Sequence, residues 1–401
     1  MKSTHLKEFT NMDKKKISVL SVSALNIMTN ASIAPMLVYL SRAFPEVSMT
    51  NIRMMLTLPA LVIIFSSLLT GILANKLPKR TLLFSGLILY MIGGIGAAFC
   101  NQFSTILVFR IILGLGAGVT NTFSTALISS FYDGEERVKL IGNSTVVSHA
   151  VAVISPLLTG WLASFSWRYA FGIYGIALIV LLITFFWLPE PPAAAPAQQS
   201  SFKPGLTKMG TIIAVNAGLL MVTFYIFPTG IAHLIDARGI GNSQAAGFAA
   251  SISTMASTLI NLFFAKLMRF FKRYVWVFSI TLMVAGFALM AFSTTVFLTY
   301  LGVFLSGCGM GILFPGIMLR ATQYASPNNT ARTISMVVAG SNLGQFLSPF
   351  LYSFLQRWNS GGIPILYDFQ TATVLFGIAL LVSIVLLIFP TSGQRESSNP
   401  T

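Results

Sequence analysis

Charged residues are scarce in this chain. Only 9% of its 401 residues are Asp, Glu, Lys or Arg, whereas about a quarter of the residues are charged in a typical soluble domain. Hydrophobic residues make up 55% of the chain, and the mean hydropathy is +0.80. This composition predicts a protein whose main solvent is lipid.

Cysteine is nearly absent as well. Cys100 and Cys308 are isolated from each other, which excludes a disulfide framework and a cysteine-based metal site. The chain has no Walker-type loop and no zinc-ligand spacing, so it fits neither an ATP-driven pump nor a membrane-embedded enzyme. We therefore expect no enzymatic activity, no cofactor and no metal.

Apolar runs of about 20 residues, each long enough to cross about 30 Å of hydrocarbon as a helix, recur along the chain. The predicted spans are 17–40, 52–74, 81–100, 103–127, 140–164, 169–188, 208–234, 243–267, 274–293, 295–319, 332–356 and 368–390. A channel would need a polar stripe or filter repeated along its pore, and these runs carry none. The fold class is thus an all-α integral membrane protein with 12 transmembrane helices.

Positive charge is distributed unevenly between the two sides of the predicted membrane. If the N-terminus is cytoplasmic, 19 of the 25 Lys and Arg residues fall on the cytoplasmic side and 5 on the outer side. This bias predicts that both termini are cytoplasmic. We expect a plasma-membrane protein with polar tails at 1–16 and 391–401, and we interpret 1–16 as a tail rather than a signal peptide. The basic residues form no single face, so the net charge of +15 does not indicate nucleic acid binding.

The two halves of the chain repeat each other across a Pro-, Ala- and Ser-rich linker at 189–207. Three features recur at a constant offset of 193 residues. They are Gly114, Gly116 and Gly118 with Gly307, Gly309 and Gly311; Ser155-Pro156 with Ser348-Pro349; and Lys76, Lys79 and Arg80 with Arg269, Lys272 and Arg273. The repeat predicts an N-terminal six-helix bundle at 17–188 and a parallel C-terminal bundle at 208–390, with a site between them.

Four segments carry a resemblance to a known family. Gly71 to Arg80, between spans 2 and 3, is similar to its signature loop, and Arg110 with Gly114 and Gly116 is similar to its fourth-helix motif. The segments 155–160 and 167–171 are similar to its fifth-helix antiporter motif and to the start of its sixth helix. Over essentially its whole length the chain thus resembles the major facilitator superfamily (MFS), and its motifs favour the 12-span drug–proton antiporter branch. The resemblance implies two bundles related by a pseudo-two-fold axis along the membrane normal. It also implies that the site between the bundles opens to one side of the membrane and then to the other.

Three departures from the family pattern concern the gate and the antiporter motif. Asn75 stands where the family loop has Asp, Pro78 replaces a glycine, and Ser155 and Thr159 replace small residues of the fifth-helix motif. The resemblance implies an inner gate formed by Asn75, Lys76, Lys79 and Arg80 against helix 11. Because of Asn75, we expect this gate to latch less firmly.

Arg110 is the one charged residue in the middle of a predicted span. A mid-span guanidinium costs about 2.5 kcal/mol or more, so it should face protein, water or substrate rather than lipid. A functional role is to bind an anionic substrate group or to tune a neighbouring proton carrier. The alternative is a structural role, in which Arg110 caps carbonyls or braces helices 1 and 4.

Further intramembrane polar groups either contact substrate or join helices. In the family the cavity is lined mainly by helices 1, 4, 7 and 10. The predicted substrate-binding residues are Arg110, Asn26, Asn30, Asn121, Asn216, Tyr225 and Phe314.

His149 is the candidate proton carrier, with Arg110 as a second coupling residue. It lies deep in span 5, and its charge can change near neutral pH; the alternative is a neutral histidine that joins two helices. His233 and Asp236 form either a protonation pair at the outer mouth or a solvated pair.

Pro156 and Pro349 are expected to kink spans 5 and 11, either for motion or as static geometry.

None of the ten acidic residues lies well inside a predicted span, which argues against a cation-selective exporter. We therefore expect a monomeric secondary transporter, driven by protons, that exports lipophilic or weakly anionic small molecules and confers drug resistance. The alternative is uptake or exchange of a small organic anion.

Overall fold

The described part of this computed structural model, residues 14–191, 208–325, 330–359 and 361–388, is helical and contains no strand. The first half comprises α1 (14–23), α2 (Met28–Ala31), α3 (Leu37–Ala43), α4 (Met49–Leu73), α5 (Lys79–Ile95), α6 (Phe103–Phe131), α7 (Gly134–Phe165), α8 (Trp167–Ala170) and α9 (Ile176–Trp187). The second half comprises α10 (Lys208–Phe224), α11 (Ile226–Ala237), α12 (Ser243–Leu262), α13 (Phe264–Phe271), α14 (Val275–Phe292), α15 (Val296–Tyr324), α16 (Thr330–Leu355) and α17 (Pro364–Ile388). Short 3₁₀ turns extend α5 and join α8 to α9.

Eleven helical segments of the described residues are long and apolar enough to cross a membrane. They correspond to the second to twelfth predicted spans, with bounds that differ by up to about ten residues. The predicted tails 1–13 and 389–401 and most of the linker, 192–207, lie outside the described residues.

The first predicted span, 17–40, is not one continuous helix. Turns at 24–27 and 32–33 divide it into three helical pieces. In the first turn the backbone N–H groups of Leu25 and Asn26 bond three residues back, to Val22 and Ser23. The second turn precedes Pro35, which has no N–H group to continue the helical ladder.

The seventh span is interrupted at the equivalent position. Tyr225 separates α10 from α11, and Pro228 lies three residues after Tyr225. In the first span Pro35 likewise lies three residues after Ser32. Both pairs are related by the offset of 193 found in the sequence. Interruptions near the midplane leave backbone groups free to meet ligands or side chains.

The glycine repeat is also a repeat of helix packing. A Cβ atom added to Gly116 would meet the backbone of Gly86 and Tyr90 on α5, and one added to Gly309 would meet Ser279 and Met283 on α14. The offset of 193 relates Gly86 to Ser279 and Tyr90 to Met283. The same residues of each half therefore bring α6 against α5 and α15 against α14.

The core is divided between the two halves. One apolar cluster is built from the helices before the linker, and two others belong mainly to the helices after it. Val38 and Tyr225 cross this division, because each packs against the cluster of the opposite half. Most of the contact between the halves is made by two helix pairs, α7 with α12 and α4 with α16.

Gly116→Val and Gly309→Val should each destabilise the protein. The new side chain would overlap the α5 backbone at Gly116, and the Ser279 carbonyl and the Met283 side chain at Gly309. We expect a fall of several degrees in the melting temperature, or loss of monodisperse protein after detergent extraction. Gly142→Val is the matched control, since no atom lies within 4 Å of a Cβ at that helical glycine. Equal stability of all three variants would contradict the close packing.

Candidate functional site

The two ends of the helical array differ in their charges. One end carries the arginine–aspartate pairs Arg42–Asp236 and Arg53–Asp368, and we call it the paired end. The opposite end carries Lys76, Lys79, Arg80, Lys266, Arg269 and Arg273, and we call it the basic end.

A buried ion pair joins the two halves at the paired end. Arg53 Nη2 lies 2.6 Å from Asp368 Oδ2, and their side chains are only 3% and 0% exposed. Gln356 Nε2 donates to both carboxylate oxygens, at 2.9 and 2.8 Å. The start of the last span is corrected: α17 begins at Pro364, four residues before the predicted start, so Asp368 lies one turn inside the helix and is fully buried.

Other contacts between the halves surround this ion pair. Arg42 Nη2 lies 2.7 Å from Asp236 Oδ1, and His233 Nε2 lies 3.2 Å from Ser41 Oγ. His233 and Asp236, a possible pair in the sequence, thus each bond to α3 rather than to each other. A cavity of only about 170 Å³ remains between the halves beside them.

The contact of α7 with α12 extends from the paired end to the middle of the structure. A Cβ added to Gly160 would lie 2.5 Å from the Ser243 carbonyl oxygen, and one added to Gly247 would overlap the Pro156 carbonyl. Ser251 Oγ donates to the Val153 carbonyl at 2.6 Å. The two backbones thus approach as closely as small residues allow.

His149 lies at the end of this contact that is farther from the paired end. Its Nδ1 is 2.9 Å from Thr258 Oγ1, which also donates to the Thr254 carbonyl. His149 is therefore placed between the halves, although the roles of donor and acceptor depend on its tautomer.

A larger cavity, of about 520 Å³, opens along one face of α10. It is lined by Thr211, Ile212, Val215, Asn216 and Leu219, which lie in the part of α10 nearer to the basic end. Asn216, a predicted substrate residue, is exposed there, and its Nδ2 bonds the Ile212 carbonyl at 2.8 Å. The wall is apolar apart from the Asn216 amide and the Thr211 hydroxyl.

Asn26 belongs to a polar cluster inside the first half, and Asn121 lies three residues before its partner Ser124 on α6. Asn26 Nδ2 donates to Ser124 Oγ at 2.8 Å, and Ser148 Oγ donates to the Ser23 carbonyl at 2.6 Å. Asn26 Oδ1, Asn121 Oδ1 and Ser23 Oγ are buried without a hydrogen-bond partner among the described residues. The side chain of Asn30 lies outside the described part of the structure.

Arg110 is fully buried within the first half, in contact with two aromatic rings. Its Cζ lies 4.9 Å from the ring centroid of Phe171 and 5.0 Å from that of Tyr174. Arg110 Nη1 donates to the Tyr174 hydroxyl at 3.0 Å, and that hydroxyl donates to the Thr29 carbonyl at 3.2 Å. Arg110 therefore braces the interrupted first span through Tyr174.

Tyr225 and Phe314 are the remaining predicted substrate residues. Tyr225 forms the interruption of the seventh span and packs against the core of the first half. Phe314 is half-buried in α15, beside Pro315. The structure thus brings Tyr225 to the boundary between the halves.

The predicted gate residues of the basic end contact their own half. Lys79 Nζ lies 3.3 Å from Ser130 Oγ, and Arg80 Nη2 donates to the Phe185 carbonyl at 2.7 Å. Lys76 is exposed, and the exposed Asn75 bonds only weakly, at 3.5 Å, to the Gly71 carbonyl.

Pro156 and Pro349 lie inside α7 and α16, each of which continues past its proline. The Pro156 carbonyl faces Gly247 of α12. Pro156 therefore belongs to the contact between the halves.

Arg53, Asp368 and Tyr174 are site residues that the sequence analysis did not identify. Arg53 and Asp368 are separated by 315 residues, and no local periodicity links them. The available signal was weak: each charge lies close to the end of a long apolar run.

Tyr174→Phe should destabilise the first half by about 1–3 kcal/mol, because it removes the hydroxyl between a buried guanidinium and a backbone carbonyl. Thermal unfolding in detergent measures the loss. Tyr169→Phe changes an exposed tyrosine in the same span and should leave the melting temperature unchanged. A Tyr174→Phe protein as stable as this control would contradict the bracing role.

A family profile matches both halves of the sequence. The profile of the Major Facilitator Superfamily matches residues 19–240 and 212–401. A curated relative, the uncharacterized MFS-type transporter YceJ of Bacillus subtilis (strain 168), is 22% identical over 311 residues, which cover 73% of this chain and 77% of the relative.

Solved structures share the fold at low sequence identity. A crystal structure of the nucleoside transporter NupG superposes with a TM-score of 0.75 at 19% identity, covering 94% of this chain and 99% of that one. A crystal structure of a D-xylose-proton symporter superposes with a TM-score of 0.71 at 15% identity, covering 92% and 96%. Together with the helical fold and the family profile, these likenesses lead to one conclusion: the chain belongs to the major facilitator superfamily of membrane transporters.

Proposed function

We propose that this transporter is a twelve-span exporter, in which parallel six-helix bundles related by a pseudo-two-fold axis open a central pocket to either side in turn. The segment 14–43 would supply the first span despite its interruptions. The single observation that carries the proposal is the asymmetry of the contacts between the halves. These contacts close the paired end and continue along the α7–α12 pair as far as His149. Toward the basic end, by contrast, one face of α10 lines an open cavity.

The charge bias supports an orientation with the basic end in the cytoplasm. In that orientation the structure corresponds to an inward-open state, which would admit cargo from the cytoplasm. The bond of Arg80 Nη2 to the Phe185 carbonyl of its own half is consistent with an inner gate that is not latched by Arg80 in this state.

The cargo we favour is a neutral, lipophilic small molecule. The walls of the α10 cavity are mainly apolar, and Asn216 supplies one amide for orientation. Arg110 is fully buried within the first half against Tyr174 and Phe171, and it does not line this cavity. A weakly anionic cargo, or the alternative of organic-anion uptake or exchange, would require Arg110 to leave this enclosure.

Protons are the driving ion that we propose. His149 can exchange a proton near neutral pH, and it lies on the contact between the halves, where a change of charge would alter the contact. Arg110 is permanently charged and would act on the cycle only by holding the interrupted first span.

A growth-inhibition panel in cells that lack other exporters is the direct test, followed by flux measurements with the purified protein in vesicles. Export that saturates with substrate and collapses with an uncoupler would support a proton-driven carrier. Flux that is unsaturable and insensitive to the uncoupler would contradict it.

Asn216→Leu should reduce flux of a responsive compound about tenfold, mainly by raising KM, because the cavity would lose its central amide. Thr281→Val is the matched control, since Thr281 is also an exposed intramembrane side chain bonded to its own helix, at 2.8 Å from Val277 O. The proposal for this cavity fails if both variants transport alike.

His149→Gln should flatten the pH dependence of transport between about pH 5 and 8, because glutamine keeps a hydrogen-bonding group but cannot take up a proton. Initial rates at fixed substrate across this pH range measure the effect. A pH profile that keeps the wild-type shape would assign His149 to helix packing alone.

A further inference from the structure

The short helix α13, at the basic end, joins the eighth span to the ninth. Its apolar residues recur at helical spacing along one face and are all half-buried: Phe264, Leu267, Met268 and Phe271. The opposite face carries Lys266 and Arg269, both exposed, and no residue of α13 is fully buried. A basic amphipathic helix of this kind is typical of a segment that lies along a membrane surface.

The chain around α13 carries positive charge only. We call residues 262–274 the α13 segment; it contains four cations and no acid, and the cations are Lys266, Arg269, Lys272 and Arg273. All four are exposed, and none forms an ion pair within the described part of the chain. Lys266 Nζ lies 5.7 Å from the Phe263 ring centroid, and Arg273 Nη2 donates to the Tyr274 hydroxyl at 3.2 Å. These partners are neutral, so they leave the charge of the segment uncompensated.

The equivalent arginine of the first half has partners inside the protein. The offset of 193 relates Arg273 to Arg80. Arg80 Nη2 donates to the Phe185 carbonyl at 2.7 Å, and its backbone N–H lies 3.3 Å from Glu190 Oε1. The α13 segment repeats the charge without such an acceptor, which points to a partner outside the chain.

Exposed aromatic rings lie among these cations. Phe263 is 51% exposed and Phe270 is 80% exposed. Just after the segment, the Arg320 Cζ atom lies 4.1 Å from the ring centroid of Trp276. Aromatic rings beside cations are typical of the headgroup region of a membrane.

Two spans hold the segment at this level. It begins at Leu262, the last residue of α12, and ends immediately before Val275, the first residue of α14. The backbone at Lys272 has a φ of +46°, in the left-handed region, so the chain changes direction between α13 and α14. The cations are therefore attached at both ends to membrane-crossing helices, which favours a membrane lipid over a soluble acidic protein as their partner.

We propose that the α13 segment is a binding site for anionic phospholipids of the leaflet at the basic end. Lys266, Arg269 and Lys272 donate charge-assisted hydrogen bonds to the phosphate oxygens of the headgroup. Phe263 and Phe270 contact the lipid below the headgroup. The site goes beyond the proposed function, since it requires neither export nor proton coupling.

The test counts lipids bound to the intact protein. Purified, delipidated protein in detergent is titrated with dioleoylphosphatidylglycerol or with dioleoylphosphatidylcholine, and native mass spectrometry resolves each bound molecule. The first phosphatidylglycerol should bind at least about fivefold more tightly than the first phosphatidylcholine, because only the former carries a net negative charge. The preference should fall as the ionic strength is raised.

Replacement of three cations by glutamine locates the site. The variant Lys266→Gln/Arg269→Gln/Lys272→Gln should reduce the preference for phosphatidylglycerol to less than about twofold. If this variant does not fold, Arg269→Gln alone replaces it and should lower the preference at least about twofold.

The matched control removes the same charge from the same end, outside the α13 segment. It is the variant Lys76→Gln/Arg137→Gln/Lys139→Gln, whose three positions are also exposed, and it should keep the parental preference.

Three results would overturn the inference. The parent could bind both lipids equally, which would leave the cations to a soluble acidic partner or to membrane orientation alone. The variant of the α13 segment, or Arg269→Gln in its place, could keep the full preference. The control could lose as much of the preference as the variant of the segment, which would assign the effect to the net charge of the whole end.

Discussion

The bilayer imposes one constraint on which the rest of this structure depends: a charge or backbone group withdrawn from water must find its partner inside the protein. Arg110 and Arg53 meet this constraint in different ways and only in part, since Nε of both and Nη2 of Arg110 have no hydrogen-bond partner among the described residues. Arg110 is surrounded by aromatic rings and bonded to Tyr174 within one half, so the halves can move without disturbing it. Arg53 is neutralised by Asp368 of the other half, so motion of the halves must disturb it.

The same constraint explains why the interrupted spans remain stable. An interruption frees carbonyl groups, and tyrosine hydroxyls from neighbouring helices reach the region of each one. Tyr174 donates to the Thr29 carbonyl in the first half, and Tyr352 donates to the Thr223 carbonyl in the second. The breaks are thus held in place by long side chains that contribute an apolar ring and a polar tip.

Much of the fold could be predicted from the sequence, because a segment that crosses lipid must satisfy its own backbone hydrogen bonds and is therefore helical. The glycine triplets and their offset predicted that the two halves repeat each other, and the contacts of Gly116 and Gly309 follow that offset. The site was less accessible to prediction. A sequence can place Arg110 in a membrane, but whether its guanidinium faces a pocket or Tyr174 depends on a residue 64 positions away. Asp368 was missed for a local reason, since its polarity lowers the apparent hydrophobicity at the start of its own span.

The matched interruptions at Ser32 and Tyr225, each followed by a proline three residues later, show that the offset of 193 residues relates backbone geometry as well as sequence. A tyrosine hydroxyl of the same half donates to a carbonyl near each interruption. The charged group behind the first of these tyrosines is not repeated, because Val303 occupies the position equivalent to Arg110. The two halves therefore share the shape of a broken span, while only the first holds that shape with a buried guanidinium.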